Sequence, residues 1–232
     1  MQVKLDIISD PVCPWCYVGK SLLDRALAQR PGHPFVIEWH PFELSPDIPR
    51  EGMDRVAFLE MKFGPGGGNS HSGAVDLATS QGIEMNYDQV TRRPHTLDAH
   101  RLIHWAGIEK CQSEVVDGIF NAYWREGRDI GKREVLADIA DAAGMDAALV
   151  MRLFESPADE EDIRKREAHS NEMGVTSVPT FVVAQKHAVP GAQPIDLWLQ
   201  VIDEIMQQIA SDEAAEEVAQ GESTETKGPD AS

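Results

Sequence analysis

The sequence predicts an α/β fold whose sheet is interrupted by a long helical insertion, in the order β-α-β, then helices, then β-β-α. Three observations carry this. An apolar run at Val3–Ile8 precedes a helical pattern, and Phe35–Trp39 then supplies a second run of β-branched and aromatic residues. Strand character is absent from the next 130 or so residues, which show helical periodicity instead. It returns at Thr180-Phe181-Val182-Val183.

The elements follow in order. Residues 3–9 read as the first strand. Residues 16–29 read as the first helix, with Leu22, Leu23, Ala26 and Leu27 on one face and Arg30-Pro31-Gly32 ending it. Phe35–Trp39 is the second strand. A βαβ unit makes the two strands parallel with a right-handed crossover. The stretch Pro41 to Pro49 ends the sheet geometry. Helices are then expected at Val56–Phe63, Ala74–Gln81, Leu97–Ala106, Glu114–Arg125, Lys132–Ala143, Ala147–Phe154 and Asp159–Met173. In the fifth of these, Val135, Leu136, Ile139, Ala140 and Ala143 share one apolar face. Gly107, Gly127 and Gly144 punctuate helix ends. After Thr180–Val183 comes a turn at Val189-Pro190-Gly191-Ala192, then a final helix from Ile195 to Ile209. The domain boundaries are therefore 1–50 with 174–210 for the α/β unit and 51–173 for the helical insertion, with 211–232 a disordered acidic tail.

The chain has 232 residues and is 42% hydrophobic, an ordinary composition for a globular protein. No apolar run approaches the roughly 20 residues of a membrane helix, and no signal peptide pattern opens it. The expectation is a cytoplasmic protein that does not bind membranes. Net charge is −18, of which residues 211–232 carry −6, leaving −12 on the rest. An acidic body excludes nucleic-acid binding through phosphates. There are three cysteines, too few for a disulfide framework. There is no second Cys pair and no histidine spacing for zinc, so no metal site is expected.

The chemistry lies in Cys13-Pro14-Trp15-Cys16, at the strand-to-helix junction. A thiol at a helix N-terminus faces partial positive charge and unpaired backbone N–H groups, and so ionises more readily. With a second thiol three positions on, the thiolate can attack a disulfide and be released by ring closure. Cys13 is the expected nucleophile and Cys16 the resolving thiol. Trp15 lies on the turn, to pack on substrate or on its own domain. Asp10 caps or orients the loop, or relays a proton. Cys111 reads as a small buried apolar residue, and His100 and Arg101 as structural residues of a helix. The Gly64–Gly68 stretch lacks the Lys-Ser/Thr of a phosphate loop and reads as a linker.

Five segments in order extend the motif: Ser9 to Gly19, Trp39-His40-Pro41-Phe42-Glu43-Leu44, Ala99-His100-Arg101-Leu102, Gly174 to Phe181, and Gly191-Ala192-Gln193-Pro194. On these the chain resembles the DsbA family of the thioredoxin superfamily, and within it the FrnE-like subgroup. The resemblance implies a thioredoxin-like fold with an inserted helical domain. It implies a thiol–disulfide oxidoreductase acting on protein or small-molecule disulfides and thiols, with no bound cofactor and glutathione as a possible co-substrate. It makes Pro179 the cis-proline facing the dithiol, keeping metal away from it. Pro14, Trp15 and the exposed backbone of Val178 become substrate contacts, the last by pairing with an extended peptide. His40 stands where the subgroup often has Arg. Trp15 stands where strongly oxidising relatives have His, so an extreme oxidising potential is not implied. Glutathione-dependent isomerases of the 2-hydroxychromene-2-carboxylate type and kappa-class transferases are similar in arrangement, and such an activity is the alternative. They carry Ser at the first motif position, where this chain has Cys13. A non-catalytic redox-sensing module is the third reading.

Overall fold

The structure, a computed structural model, describes residues 1–225. Strand β1 (Val3–Ser9), helix α1 (Pro14–Ala28) and strand β2 (Phe35–Pro41) form the opening unit. Strands β1 and β2 pair in parallel, from Val3 against Phe35 to Ser9 against Pro41. Two later strands, β5 (Thr180–Val183) and β6 (His187–Pro190), complete a four-stranded mixed sheet in the order β2-β1-β5-β6. Strand β5 runs antiparallel to β1 and places Thr180 opposite Ile8. This register brings the residues just before β5 to the end of β1 that leads into the Cys13 motif. Leu5, Ile7 and Ile8 are fully buried, as a strand with neighbours on both sides requires.

Between β2 and β5 lie α2 (Arg55–Phe63), α3 (Ser72–Ser80), α4 (Leu97–Ile108), α5 (Gln112–Trp124), α6 (Arg133–Ala142), α7 (Ala147–Phe154) and α8 (Glu160–Glu172). Asp54 caps α2 by accepting from the Ala57 amide at 2.9 Å, and Asp146 caps α7 through the Leu149 amide at 3.0 Å. One apolar cluster runs without a break from the sheet through α1 into the inserted helices, from Leu5 and Phe181 to Val115, Trp124 and Phe154. Ile48, Phe58 and Leu59 form a small separate cluster at the start of the insertion.

The thioredoxin-like fold with a helical insert is thus present, with differences at its edges. Two-residue strands β3 (Met53–Asp54) and β4 (Arg92–Arg93) pair antiparallel and tie the ends of the α2–α3 region together. Neither has enough alternation to register as a strand in sequence. Val189 and Pro190, expected in a turn, lie in β6, an edge strand where proline is tolerated. The first helix begins at Pro14 rather than Cys16, so proline takes the first helical position, where its missing N–H costs nothing. The final helix α9 (Ile195–Glu225) continues past Ala210, where the expected disordered tail starts. Nothing after Ala210 adds an apolar face, but Ala and Glu are strong helix formers and need no burial to extend a helix already begun. Residues 226–232 of that expected tail lie outside the described residues.

Arg101, fully buried in α4, is a structural anchor of the insertion. Its guanidinium donates to the carbonyls of Leu153, Ser156 and Ala158 at 2.7, 2.7 and 2.9 Å, and to Asp98 at 2.7 Å. It thereby satisfies the orphan carbonyls after α7. Arg101→Met is expected to lower unfolding free energy by about 3–5 kcal/mol, because buried carbonyl acceptors lose their partner and Asp98 is left with Arg133 alone, at 3.0 Å. Chemical denaturation of the two proteins measures it.

Candidate active site

Cys13 is the N-cap of α1, in extended conformation, with Pro14 at the first helical position. The amides of Cys16 and Tyr17 donate to the Cys13 carbonyl at 3.1 and 3.3 Å, closing the first turn. The helix therefore fixes both sulfurs on one side of its opening turn. Both cysteines are buried and both are free thiols. They differ in charge preference. A hydrogen bond from the Cys16 thiol, helped by the backbone amides of Cys16 and Trp15, holds Cys13 below the ordinary thiol value. Burial and the nearby Asp10 act the other way. Burial pushes Cys16 well above that value, and the Cys13 charge adds to the effect. One sulfur thus ionises more readily than an ordinary thiol and the other less readily.

The Val178–Pro179 peptide bond is cis, and the Val178 carbonyl lies 3.6 Å from Cys13 Sγ. The Pro179 carbonyl accepts from Gly191 N at 2.7 Å, which ties this loop to the end of β6. Gly19, one turn beyond the motif, is what lets the loop approach. A Cβ there would lie 3.1 Å from Pro179 Cγ and 3.3 Å from Ala192 Cα. Trp15 is 37% exposed, and its ring edge rests over Gly73 of α3, where a Cβ would come within 3.4 Å. It is both open to a partner and packed on the insertion.

The loop before the motif is held by groups from outside the α/β unit. The Trp124 indole donates to the Pro11 carbonyl at 2.9 Å, and Arg93 donates to the Val12 carbonyl at 3.2 Å. Asp10 is fully buried and accepts from the amides of Val12 (3.3 Å) and Leu44 (2.8 Å). It therefore orients the loop, as one of its expected roles required. Lys62 of α2 reaches the Leu44 carbonyl at 3.1 Å. Arg93, Trp124 and Lys62 escaped the sequence reading. The Arg92-Arg93 pair in an acidic chain was the one available signal, and no spacing connects it to Cys13.

Beside this loop lies a carboxyl cluster. Burial raises Glu43 to about 8, with Glu167 and Asp10 adding to it. Its amide donates to Glu167 Oε1 at 2.7 Å, and His95 Nδ1 stands 3.3 Å from its Oε2. Burial pushes His95 below the ordinary histidine value. On the far side of β1, Asp6, Glu38 and His40 bring ligand atoms within 4.8 Å of one another. Lys4 and Arg166 already fill that space, at 3.0 Å from Asp6 and 2.7 Å from Glu38. Cys111 is half-buried at the N-cap of α5 and is a free thiol.

The model of the DSBA-like thioredoxin domain family matches residues 4–203. Bacillus subtilis YwbO is 28% identical over 205 residues, covering 88% of this chain and 98% of that protein. A probable DsbA oxidoreductase from Streptomyces coelicolor is similar in structure, with a TM-score of 0.76, 28% identity, and coverage of 88% and 89% of the two chains. The cytosolic disulfide reductase DsbM from Pseudomonas aeruginosa, solved with GSH, shares the fold at a TM-score of 0.63 and 19% identity, over 88% of this chain and 99% of that one.

Two outcomes follow from the electrostatics. Cys13 should alkylate with a pH midpoint below that of an ordinary thiol, and Cys16→Ala should move the midpoint up, since it removes the largest stabilising contact. Iodoacetamide kinetics against pH measure both. Glu43, raised in the folded state, binds a proton there that the unfolded chain releases above about 4.5. Stability should therefore fall as pH rises from about 4.5 to 8, and Glu43→Gln should flatten that fall. Urea unfolding across this range measures it.

Proposed function

From membership of this chain in the DSBA-like thioredoxin domain family, we propose that it is a thiol–disulfide oxidoreductase working through Cys13 and Cys16. The observation that carries the reading is the placement of the two sulfurs: Cys13 at the N-cap of α1, 3.6 Å from the Val178 carbonyl, and Cys16 buried three residues on in the first turn. In this reading Cys13 attacks a substrate disulfide and forms a mixed disulfide. Cys16 then attacks Cys13 Sγ, closes the Cys13–Cys16 bond and releases the substrate thiol. The reverse sequence transfers the disulfide to a substrate dithiol.

Val178, Pro179, Pro14 and Trp15 form the substrate face of this site. Val178 sits against Cys13 two residues before β5, where an extended peptide can add to its backbone as a strand. Trp15 offers an exposed aromatic surface beside the sulfur. Protein disulfides and small disulfides such as oxidised glutathione both fit this face, and the structure of DsbM with GSH supports the small-molecule case. Support for a cytosolic setting comes from DsbM, and among the described residues no helix is long and apolar enough to cross a membrane. In that setting the glutathione and thioredoxin pools would keep the dithiol reduced, which favours net reduction or isomerisation of partners.

Cys13→Ser is expected to abolish reduction of insulin and of oxidised glutathione. Cys16→Ser should keep the first attack but accumulate a Cys13 mixed disulfide, visible by mass spectrometry. Cys111→Ser should leave both rates unchanged. Turnover that persists without Cys13 and Cys16, with glutathione and an aromatic substrate present, would replace this reading by the glutathione-dependent isomerase or transferase.

A further inference from the structure

Three cations gather on the insertion side of the redox motif, each seated on an aromatic ring. The Lys62 ammonium lies 5.6 Å from the Phe58 ring centre and 5.9 Å from that of Phe63. The Arg93 guanidinium lies 4.5 Å from the same Phe58 ring. The Arg55 guanidinium lies 4.0 Å from the Tyr87 ring. His71 links the two ends of this group, with Nδ1 3.0 Å from the Tyr87 hydroxyl and its ring 6.2 Å from that of Phe63.

The group meets the motif at two points. Arg93 donates through Nη1 to the carbonyl of Val12, the residue before Cys13, at 3.2 Å, and through Nη2 to Ser45 Oγ at 3.2 Å. Lys62 Nζ donates to the carbonyl of Leu44, next to Ser45, at 3.1 Å. On the other side His71 stands two residues before Gly73, on which the Trp15 ring rests.

These positive charges are left free. In a chain with 39 acidic and 21 basic residues, the hydrogen-bond partners of Lys62 and Arg93 are carbonyls and a hydroxyl, and no carboxylate pairs with any of the three among the described residues. Arg93 is only 4% exposed and its Nε has no partner, and Nε and Nη1 of Arg55 are likewise buried and unpartnered. An aromatic face holds a cation without cancelling its charge. The buried Asp10 acts on Lys62, but its oxygens are taken by the amides of Val12 and Leu44. Burial and then Arg93, Arg55 and Lys62 push His71 down to about 4, so it adds no charge of its own at neutral pH. Cys13 is among the groups whose charge acts on Lys62.

We propose that Lys62, backed by the buried Arg93, is an anion subsite beside Cys13 that selects small disulfides carrying a carboxylate close to the sulfur. The inference rests on the oxidoreductase reading and narrows its substrates. Lys62 is exposed and takes the carboxylate. Arg93 is a positioning residue, which adds positive potential and ties the Cys13 loop to the Leu44–Ser45 segment that Lys62 also holds. Trp15 and Phe63, 37 and 49% exposed, offer apolar faces to the carbon atoms between carboxylate and sulfur. The acidic remainder of the chain repels anions, so the attraction is local to this rim.

Alkylation of Cys13 in the reduced full-length protein, by iodoacetate and by neutral iodoacetamide, tests the subsite. Both reagents attack the same thiolate, so the ratio of their rates cancels the thiol pKa and reports the pull on a carboxylate. Lys62→Met should lower the ratio about tenfold, Lys62→Glu should lower it further, and Lys62→Arg should restore it, which a shifted loop would not do. Added salt should lower the wild-type ratio towards that of Lys62→Met. In turnover, the preference in kcat/KM for dithiodipropionate over cystamine should fall in the same order of variants. A ratio unchanged in both Lys62→Met and Lys62→Glu overturns the subsite, and the oxidoreductase reading then stands as long as hydroxyethyl disulfide is turned over. A wild-type protein that alkylates at Cys13 but turns over none of the three disulfides overturns that reading and the substrate selection with it.

Discussion

The rest of this site depends on the pairing of two sulfurs in the opening turn of α1, where side chains three residues apart lie on the same side. The neighbouring Cys16 lowers the Cys13 thiol from its ordinary value, while burial pushes Cys16 well above it. Burial alone would raise both thiols and silence the pair. The pairing reverses that for one sulfur only, so the nucleophile ionises more readily than its resolving partner.

Holding that geometry falls to residues outside the α/β unit. The loop from Asp10 to Val12 has no ladder of its own. Its carbonyls are taken by Trp124 and Arg93 of the insertion, and the buried Asp10 side chain takes the amides of Val12 and Leu44. Trp124 is itself stacked between Tyr17 and Tyr87. The inserted helices thus act as the mould for the redox loop, and the unbroken apolar cluster between the two parts is the physical reason they can.

Much of this was legible in the sequence. The thiol pair at a strand–helix junction and the return of strand character at Thr180 rest on strong local signals, periodicity and turn chemistry. The family resemblance rested on segments from Ser9 to Pro194, and the chain is a member of that family. What the sequence hid was long-range. The β3–β4 pair is two residues long, and its partners are about 40 residues apart. Arg93, Lys62 and Trp124 reach the loop only because the insertion folds back on it. Cooperation between side chains distant in sequence is the part that only coordinates reveal.

A redox titration of the whole protein against reduced and oxidised glutathione, with alkylation and mass spectrometry to locate each bond, tests the central claim most directly. The account predicts a Cys13–Cys16 disulfide in reversible equilibrium with the dithiol, with Cys111 left as a free thiol. A persistent Cys13–glutathione adduct that Cys16 fails to displace, or no reaction at Cys13 at all, would contradict it.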